Sequence, residues 1–141
     1  MALKASRTDM WTRTVEDRAG GTADQLDRLA KAGANLEMVF ARRAPEMPDK
    51  GLLFVSPIKG ARALRAAEEA GFQKAPGVIS VRVEGGDKPG LGAAICRTLG
   101  DAKISFNGMT AIAIGRNFIS YMTFDNEADA TKAVAVLKKL T

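Results

Sequence analysis

Two short segments hold the residue types that could do chemistry: Asp17-Arg18-Ala19-Gly20-Gly21 and Asp87-Lys88-Pro89-Gly90-Leu91. Each follows a stretch of alternating apolar and polar residues and precedes one with helical periodicity. Each should therefore join a strand to the start of a helix. Glycine at such a junction lets a ligand approach the backbone. Unpaired N–H groups and the positive end of the helix dipole favour a carboxylate or phosphate there. An aspartate beside them can accept from an ammonium group. An α-amino acid carries both charges, so the chemistry suits it. The same residues also suit a plain turn and helix cap.

Composition narrows what else the chain could do. Its 141 residues include no histidine, which removes the commonest general acid/base and the commonest transition-metal ligand. Ser-His-Asp and Cys-His catalysis are excluded. Catalysis would fall to Asp, Glu, Lys, the single Tyr121 or the single Cys96, so the chain reads as a binding protein and not an enzyme. It calls for no cofactor. One cysteine excludes an internal disulfide framework and a cysteine-rich metal site; Cys96 reads as a small buried thiol. The net charge is +5, with twelve Lys/Arg against ten Asp/Glu over residues 1–70 and nine against six over residues 71–141. That excess is spread, whereas nucleic-acid binders more often cluster it. No apolar run approaches the roughly 20 residues that span a bilayer, and the N-terminus lacks a signal-peptide core. A soluble, cytoplasmic protein is expected.

The elements that must position the two loops follow from periodicity. Residues 1–9 are polar and unpatterned and read as a flexible start. Trp11, Arg13 and Val15 alternate as a short strand. Residues 22–31 read as a helix carrying Leu26, Leu29 and Ala30 on one side, stopped at Gly33. Leu36, Met38 and Phe40 mark a strand, residues 42–50 a hairpin loop with Pro45 and Pro48, and residues 51–56 a buried strand. Residues 58–70 read as a helix closed by Gly71, and residues 72–75 as a short fourth strand. The order then restarts. Residues 78–84 alternate as a strand, and Leu91, Ile95 and Leu99 form a helical stripe, with Pro89 compatible with its first turn. Ile104, Phe106, Ile112 and Ile114 belong to a strand interrupted at Asn107-Gly108, a bulge or a ligand-facing edge. Residues 118–124 are a strand and residues 127–140 a helix, with Asn126 as its N-cap. Trp11 reads as core or interface packing, and Met38, Met109 and Met122 as core.

Both halves thus read strand, loop, helix, strand, strand, helix, at a spacing of 70 residues that aligns Asp17 with Asp87 and Gly20 with Gly90. Two helices per half must bury their stripes on one face of a small antiparallel sheet. The expected fold class is α+β: two tandem ferredoxin-like βαββαβ modules, residues 10–76 and 77–141, with antiparallel sheets paired side by side and helices on one face. The second half ends straight after its last helix. Its fourth strand must come from the N-terminus or from another subunit.

This order of elements, with Asp-Lys-Pro-Gly-Leu in the second half and Asp17-Arg18-Ala19-Gly20-Gly21 followed by Gly33-Ala34-Asn35-Leu36 in the first, resembles the ACT domain, a regulatory module that binds amino acids. The resemblance covers nearly all of residues 10–140 as two copies. It implies a ligand where two modules pair, touched by the strand–helix loop of one and the start of the second strand of the other. Carried over by position, it implicates Asp17, Arg18, Ala19, Gly20, Gly21 and Asn35 in the first half. In the second it implicates Asp87, Lys88, Pro89, Gly90, Leu91 and Ser105. Ala19 stands where the family usually has proline, and Ser105 where it usually has asparagine. The implied function is a small-molecule (amino-acid) sensor without a catalytic domain, a homodimer whose partner is the ligand and a regulated enzyme. RNA binding on the same architecture is the alternative. The eight aromatic residues and the lack of a basic-Gly-aromatic signature weigh against it.

Overall fold

Trp11 and Val15 alternate with polar neighbours on one strand, and Leu53 and Val55 do so on the strand beside it. All four are buried in one apolar cluster with Leu29, Ala63, Ala67 and Phe72. In the computed structural model, which describes residues 2–140, the elements are β1 (Lys4–Thr8), β2 (Trp11–Glu16), α1 (Gly21–Lys31), β3 (Met38–Arg43), β4 (Lys50–Ser56), α2 (Ala61–Glu69) and β5 (Gln73–Lys74). They continue as β6 (Ile79–Gly86), α3 (Leu91–Asp101), β7 (Gly108–Ile114), β8 (Asn117–Phe124) and α4 (Glu127–Lys138). The chain divides into two compact units, Asp9–Pro76 and the remainder on either side of it. They are termed here the first and second modules.

The first module is a four-stranded antiparallel sheet in the order β3-β4-β2-β5, with α1 and α2 burying Leu29, Ala63 and Ala67 against it. The second has the order β1-β6-β8-β7, again antiparallel. Its core joins Val81, Val83, Met122 and Phe124 to Leu91, Ile95 and Leu99 of α3 and to Ala130, Ala133 and Leu137 of α4. Each module is therefore the α+β, ferredoxin-like unit expected from the repeat. Among the described residues no helix is long and apolar enough to cross a membrane.

The N-terminal segment corrects the sequence expectation. Residues 4–8, read as part of a flexible start, form β1 and pair with β6 from Lys4 against Glu84 to Thr8 against Ser80. They supply the fourth strand of the second sheet, the place that β5 fills in the first. Leu3 and Ala5 are buried in the second core. Arg7 takes the next inward position, where its Nη1 donates to the Ser80 carbonyl at 2.6 Å and its Nη2 to both Glu127 carboxylate oxygens at 2.9 and 3.0 Å. The Leu3 N–H donates to the Leu140 carbonyl at 3.4 Å, so the strand begins where the last helix ends. The first module is inserted in sequence between β1 and β6.

Smaller differences have local causes. Helix α2 starts at Ala61 and not at residue 58, because Gly60 (φ 88°, ψ 149°) cannot continue a helix and Ile58 turns into the core. Arg42 and Arg43, placed in a loop by the sequence, extend β3, an edge strand to which basic side chains are well suited, and Lys50 begins β4 beside it. Strand β7 begins only at Gly108. Ile104 instead closes α3, its N–H donating to the Leu99 carbonyl at 2.9 Å. Helix α1 closes alike, with Ala34 N–H on the Leu29 carbonyl at 3.0 Å. Each closure places a residue in the left-handed region, Gly33 (φ 84°) in the first module and Lys103 (φ 61°) in the second. Asn126 caps α4 as expected, accepting from the Asp129 N–H at 2.8 Å.

Two outcomes follow. Lys103→Gly removes a side chain from an unfavourable backbone region and is expected to raise stability by about 0.5–1 kcal/mol in denaturant unfolding. Removing residues 2–8 strips β6 of its partner, so amide exchange across residues 79–86 is expected to accelerate sharply. Unchanged protection there would contradict the role assigned to β1.

Candidate functional site

The two loops that the repeat aligns have the same backbone geometry. In the first module the Gly21 N–H donates to the Arg18 carbonyl at 3.1 Å, closing a turn through Ala19 and Gly20, with Gly20 at φ 85°, ψ −9°. In the second the Leu91 N–H donates to the Lys88 carbonyl at 3.2 Å through Pro89 and Gly90, with Gly90 at φ 84°, ψ 3°. Both are type II turns, which need glycine at the third position and favour proline at the second. Pro89 is thus a turn residue ahead of the helix, not part of its first turn as the sequence suggested. Ala19 occupies its place in the first module. Gly20 and Gly90 are the N-caps, and neither helix has a side-chain cap. The early N–H groups of Thr22 and Ala23, and of Gly92 and Ala93, have no intrahelical acceptor.

The aspartates are held by equivalent backbone bonds. Asp17 N–H donates to the Asp49 carbonyl at 3.1 Å, and Asp87 N–H to the Arg116 carbonyl at 2.8 Å. Their side chains differ. Arg43 Nε lies 3.0 Å from Asp17 Oδ2, whereas Asp87 makes no ion pair among the described residues. Arg18 folds over the turn toward α1, 2.6 Å from Asp24 Oδ2 and 3.1 Å from the Ala19 carbonyl. Lys50 Nζ lies 2.6 Å from Glu16 Oε1. That hydrogen bond, then the lysine's charge, holds the Glu16 carboxyl below its ordinary value, with Arg18 adding slightly and desolvation opposing. A carboxyl lowered in this way favours the folded state at neutral pH, and its contribution fades as acid protonates it.

A cleft of about 170 Å³ opens beside the first loop, lined by Val15, Asp17, Arg18, Thr22, Ala41 and Arg43 among others. Sequence reading missed Thr22, Ala41 and Arg43 there. The Arg42-Arg43 pair was visible as a basic run, but its place in β3 was not.

The implicated residues separate into distinct groups. Asp17, Arg18, Ala19 and Gly20 are exposed at one turn, and Asp87, Lys88, Pro89 and Gly90 at the other. Gly21 and Leu91 are buried. Leu91 belongs to the core, 3% exposed. At Gly21 a Cβ would lie 2.3 Å from the Glu16 carbonyl oxygen, so this glycine accommodates the chain's own backbone and not a ligand. Asn35 and Ser105 are exposed just ahead of β3 and β7. Glu37 N–H bonds the Ser56 carbonyl and Asn107 N–H the Thr123 carbonyl, whereas the loops lie at the Lys50 and Asn117 ends of β4 and β8. Six residues of strand, roughly 20 Å, therefore separate the two parts of each implied site within its own module. Asn107 itself is pinned, its Nδ2 donating to Asp125 Oδ1 at 2.8 Å and its Oδ1 accepting from the Thr123 hydroxyl.

No family model and no curated protein matches the sequence. Solved structures match the fold. A protein from Bacteroides thetaiotaomicron is similar at 18% identity with a TM-score of 0.74, over 94% of this chain and 89% of that one. The regulatory subunit of aspartate kinase from Thermus thermophilus, in its ligand-free form, is similar at 14% identity with a TM-score of 0.62, over 97% of each chain. A structure of aspartokinase alpha and beta subunits is similar at 19% identity with a TM-score of 0.62, over 99% of this chain and 96% of that one. The chain thus shares the fold of these structures, two ferredoxin-like modules in one chain.

The close approach at Gly21 gives a test that needs no ligand. Gly21→Ala must push α1 off the end of β2 and is expected to cost about 1–3 kcal/mol in unfolding experiments. Ala19→Pro, which fits the second turn position, is expected to be neutral or slightly stabilising.

Proposed function

We infer that this chain is a regulatory protein that binds a small molecule, an α-amino acid, at its strand–helix loops. The observation that carries the reading is the repetition of one loop geometry in both modules. An aspartate, a type II turn and the first N–H groups of a helix offer an acceptor for ammonium beside donors for carboxylate. The likeness in fold to regulatory subunits of aspartate kinase supports a regulatory role. The proposed role is binding and not catalysis, in keeping with the lack of histidine, the commonest proton carrier. Binding regulates only if it differs between two states or between free and partnered protein.

Neither module alone brings Asn35 beside the Asp17 loop or Ser105 beside the Asp87 loop. The reading therefore includes a second copy of the chain, a homodimer, and a regulated enzyme as a further partner. Exposed apolar side chains on the edge strands, Val39 and Phe40 on β3 and Ile112 and Ile114 on β7, fit association through sheet edges. The setting proposed is the cytoplasm.

Calorimetric titration of the full chain with each of the twenty amino acids tests the reading. At least one should release or absorb heat and raise the melting temperature. Ligand at one hundred times its Kd adds about 2.7 kcal/mol to the folded state. No heat and no thermal shift with any amino acid would overturn the proposal.

A further inference from the structure

The two modules match position for position, so core residues that break the match are informative. Val55 of β4 pairs with Val39 of β3 and Trp11 of β2. Met122 of β8 takes the same place, between Met109 of β7 and Val81 of β6. Two residues earlier on the same inward face, Leu53 of the first module is matched by Ser120. On the covering helix, the spacing of 70 residues sets Cys96 of α3 where α1 has Leu26. Leu26, Val39, Leu53 and Val55, all aliphatic, are thus replaced by Cys96, Met109, Ser120 and Met122.

The three sulfur side chains gather. Cys96 Sγ lies 3.7 Å from Met109 Sδ. Met122 stands directly across from Met109 on the same face, an arrangement that sets their Cβ atoms about 4.5–5.5 Å apart. Met122 is fully buried and Met109 packs against the core. Cys96 and Met109 are partly exposed, at the margin where α3 meets the edge strand β7. Ser120 is fully buried, and its hydroxyl has no hydrogen-bond partner among the described residues. Core packing accounts for a methionine. It does not account for an unpaired hydroxyl beside one, which costs free energy that Leu53 avoids in the first module.

We propose that Cys96, Met109 and Met122 form a site for a soft monovalent metal ion, Cu(I), in the second module. The site is separate from the strand–helix loops and does not rest on the amino-acid reading. One thiolate and two thioethers are donors that select Cu(I). With metal–sulfur bonds of roughly 2.3 Å, two sulfurs on one ion lie about 3.7–4.0 Å apart, the separation that Cys96 and Met109 already have. Charge decides the valence. The Cys96 thiol loses its proton to solvent on binding, so thiolate and Cu(I) make a neutral pair that an apolar core can hold. A divalent ion would leave a net positive charge there. No group of three or more His, Cys, Asp or Glu among the described residues could hold one. A thiolate in this part of the core also gives the Ser120 hydroxyl an acceptor.

Anaerobic titration of the full chain with Cu(I), buffered by a competing chromogenic chelator, tests this. The wild type should take one Cu(I) per chain, release one proton and gain a thiolate-to-copper charge-transfer band in the ultraviolet. Cys96→Ser should abolish the band. Met109→Leu and Met122→Leu keep an apolar side chain of similar volume. Each should weaken Cu(I) affinity at least about tenfold, with the melting temperature of the metal-free protein nearly unchanged. Met38→Leu, in the first module, should bind as the wild type does.

Failure of the wild type to take Cu(I) from the chelator would overturn the proposal. So would wild-type affinity in either Met109→Leu or Met122→Leu, which would mean coordination by the thiol without the full sulfur set. Loss of binding in Met38→Leu would place the ion elsewhere and overturn it too. Should Cys96→Ser fail to fold, the methionine variants decide alone.

Discussion

The pairing of β1 with β6 is the constraint on which the second module depends. Without it β6, a strand carrying the buried Val81 and Val83, would be an open edge directly over the core. Leu3 and Ala5 extend that core outward, and the Arg7 guanidinium ties the strand to the Ser80 carbonyl and to Glu127 at the start of α4. The Glu127 position also complements the helix dipole. Five residues, with Ala5 and the preceding Leu3 as their apolar anchors, thus complete a sheet, because backbone pairing and one well-placed arginine contribute what side-chain burial cannot.

With both sheets complete, each module presents its strand–helix turn on a fixed support. The backbone bonds from Asp17 to Asp49 and from Asp87 to Arg116 lock the turn to the neighbouring hairpin. The positive-φ glycines then set the direction in which the first helical N–H groups point. Geometry is shared between the modules because it is built from backbone. Charge is not shared, because it depends on which side chain the edge strand offers at one register position.

The repeat was legible because it lies in the order of elements and in glycine placement, both of which periodicity and turn chemistry report directly. Asn126 as a cap and the Gly33 stop were legible for the same reason. Strand β1 was not. The inward residues are Ala5, Arg7 and, just ahead of the strand, Leu3, and an arginine satisfied by a carbonyl and a carboxylate looks like solvent-facing charge when read in one dimension. Arg43 was hidden in the same way, since polar residues near Pro45 and Pro48 read as loop although edge strands welcome them. Gly21 looked like a ligand-facing glycine, and only the 2.3 Å approach of the Glu16 carbonyl reveals its packing role. Lys103 had no visible signal, because a left-handed closure without glycine runs against the usual preference.

Because β1 and β6 are separated in sequence by the whole first module, the order of synthesis matters. Strand β1 leaves the ribosome before its partner and waits while the whole of residues 9–76 is made. The inserted unit has all its own strands and can fold in that interval. The surrounding unit closes last, through a pairing of large sequence separation that makes it the slower of the two to mature.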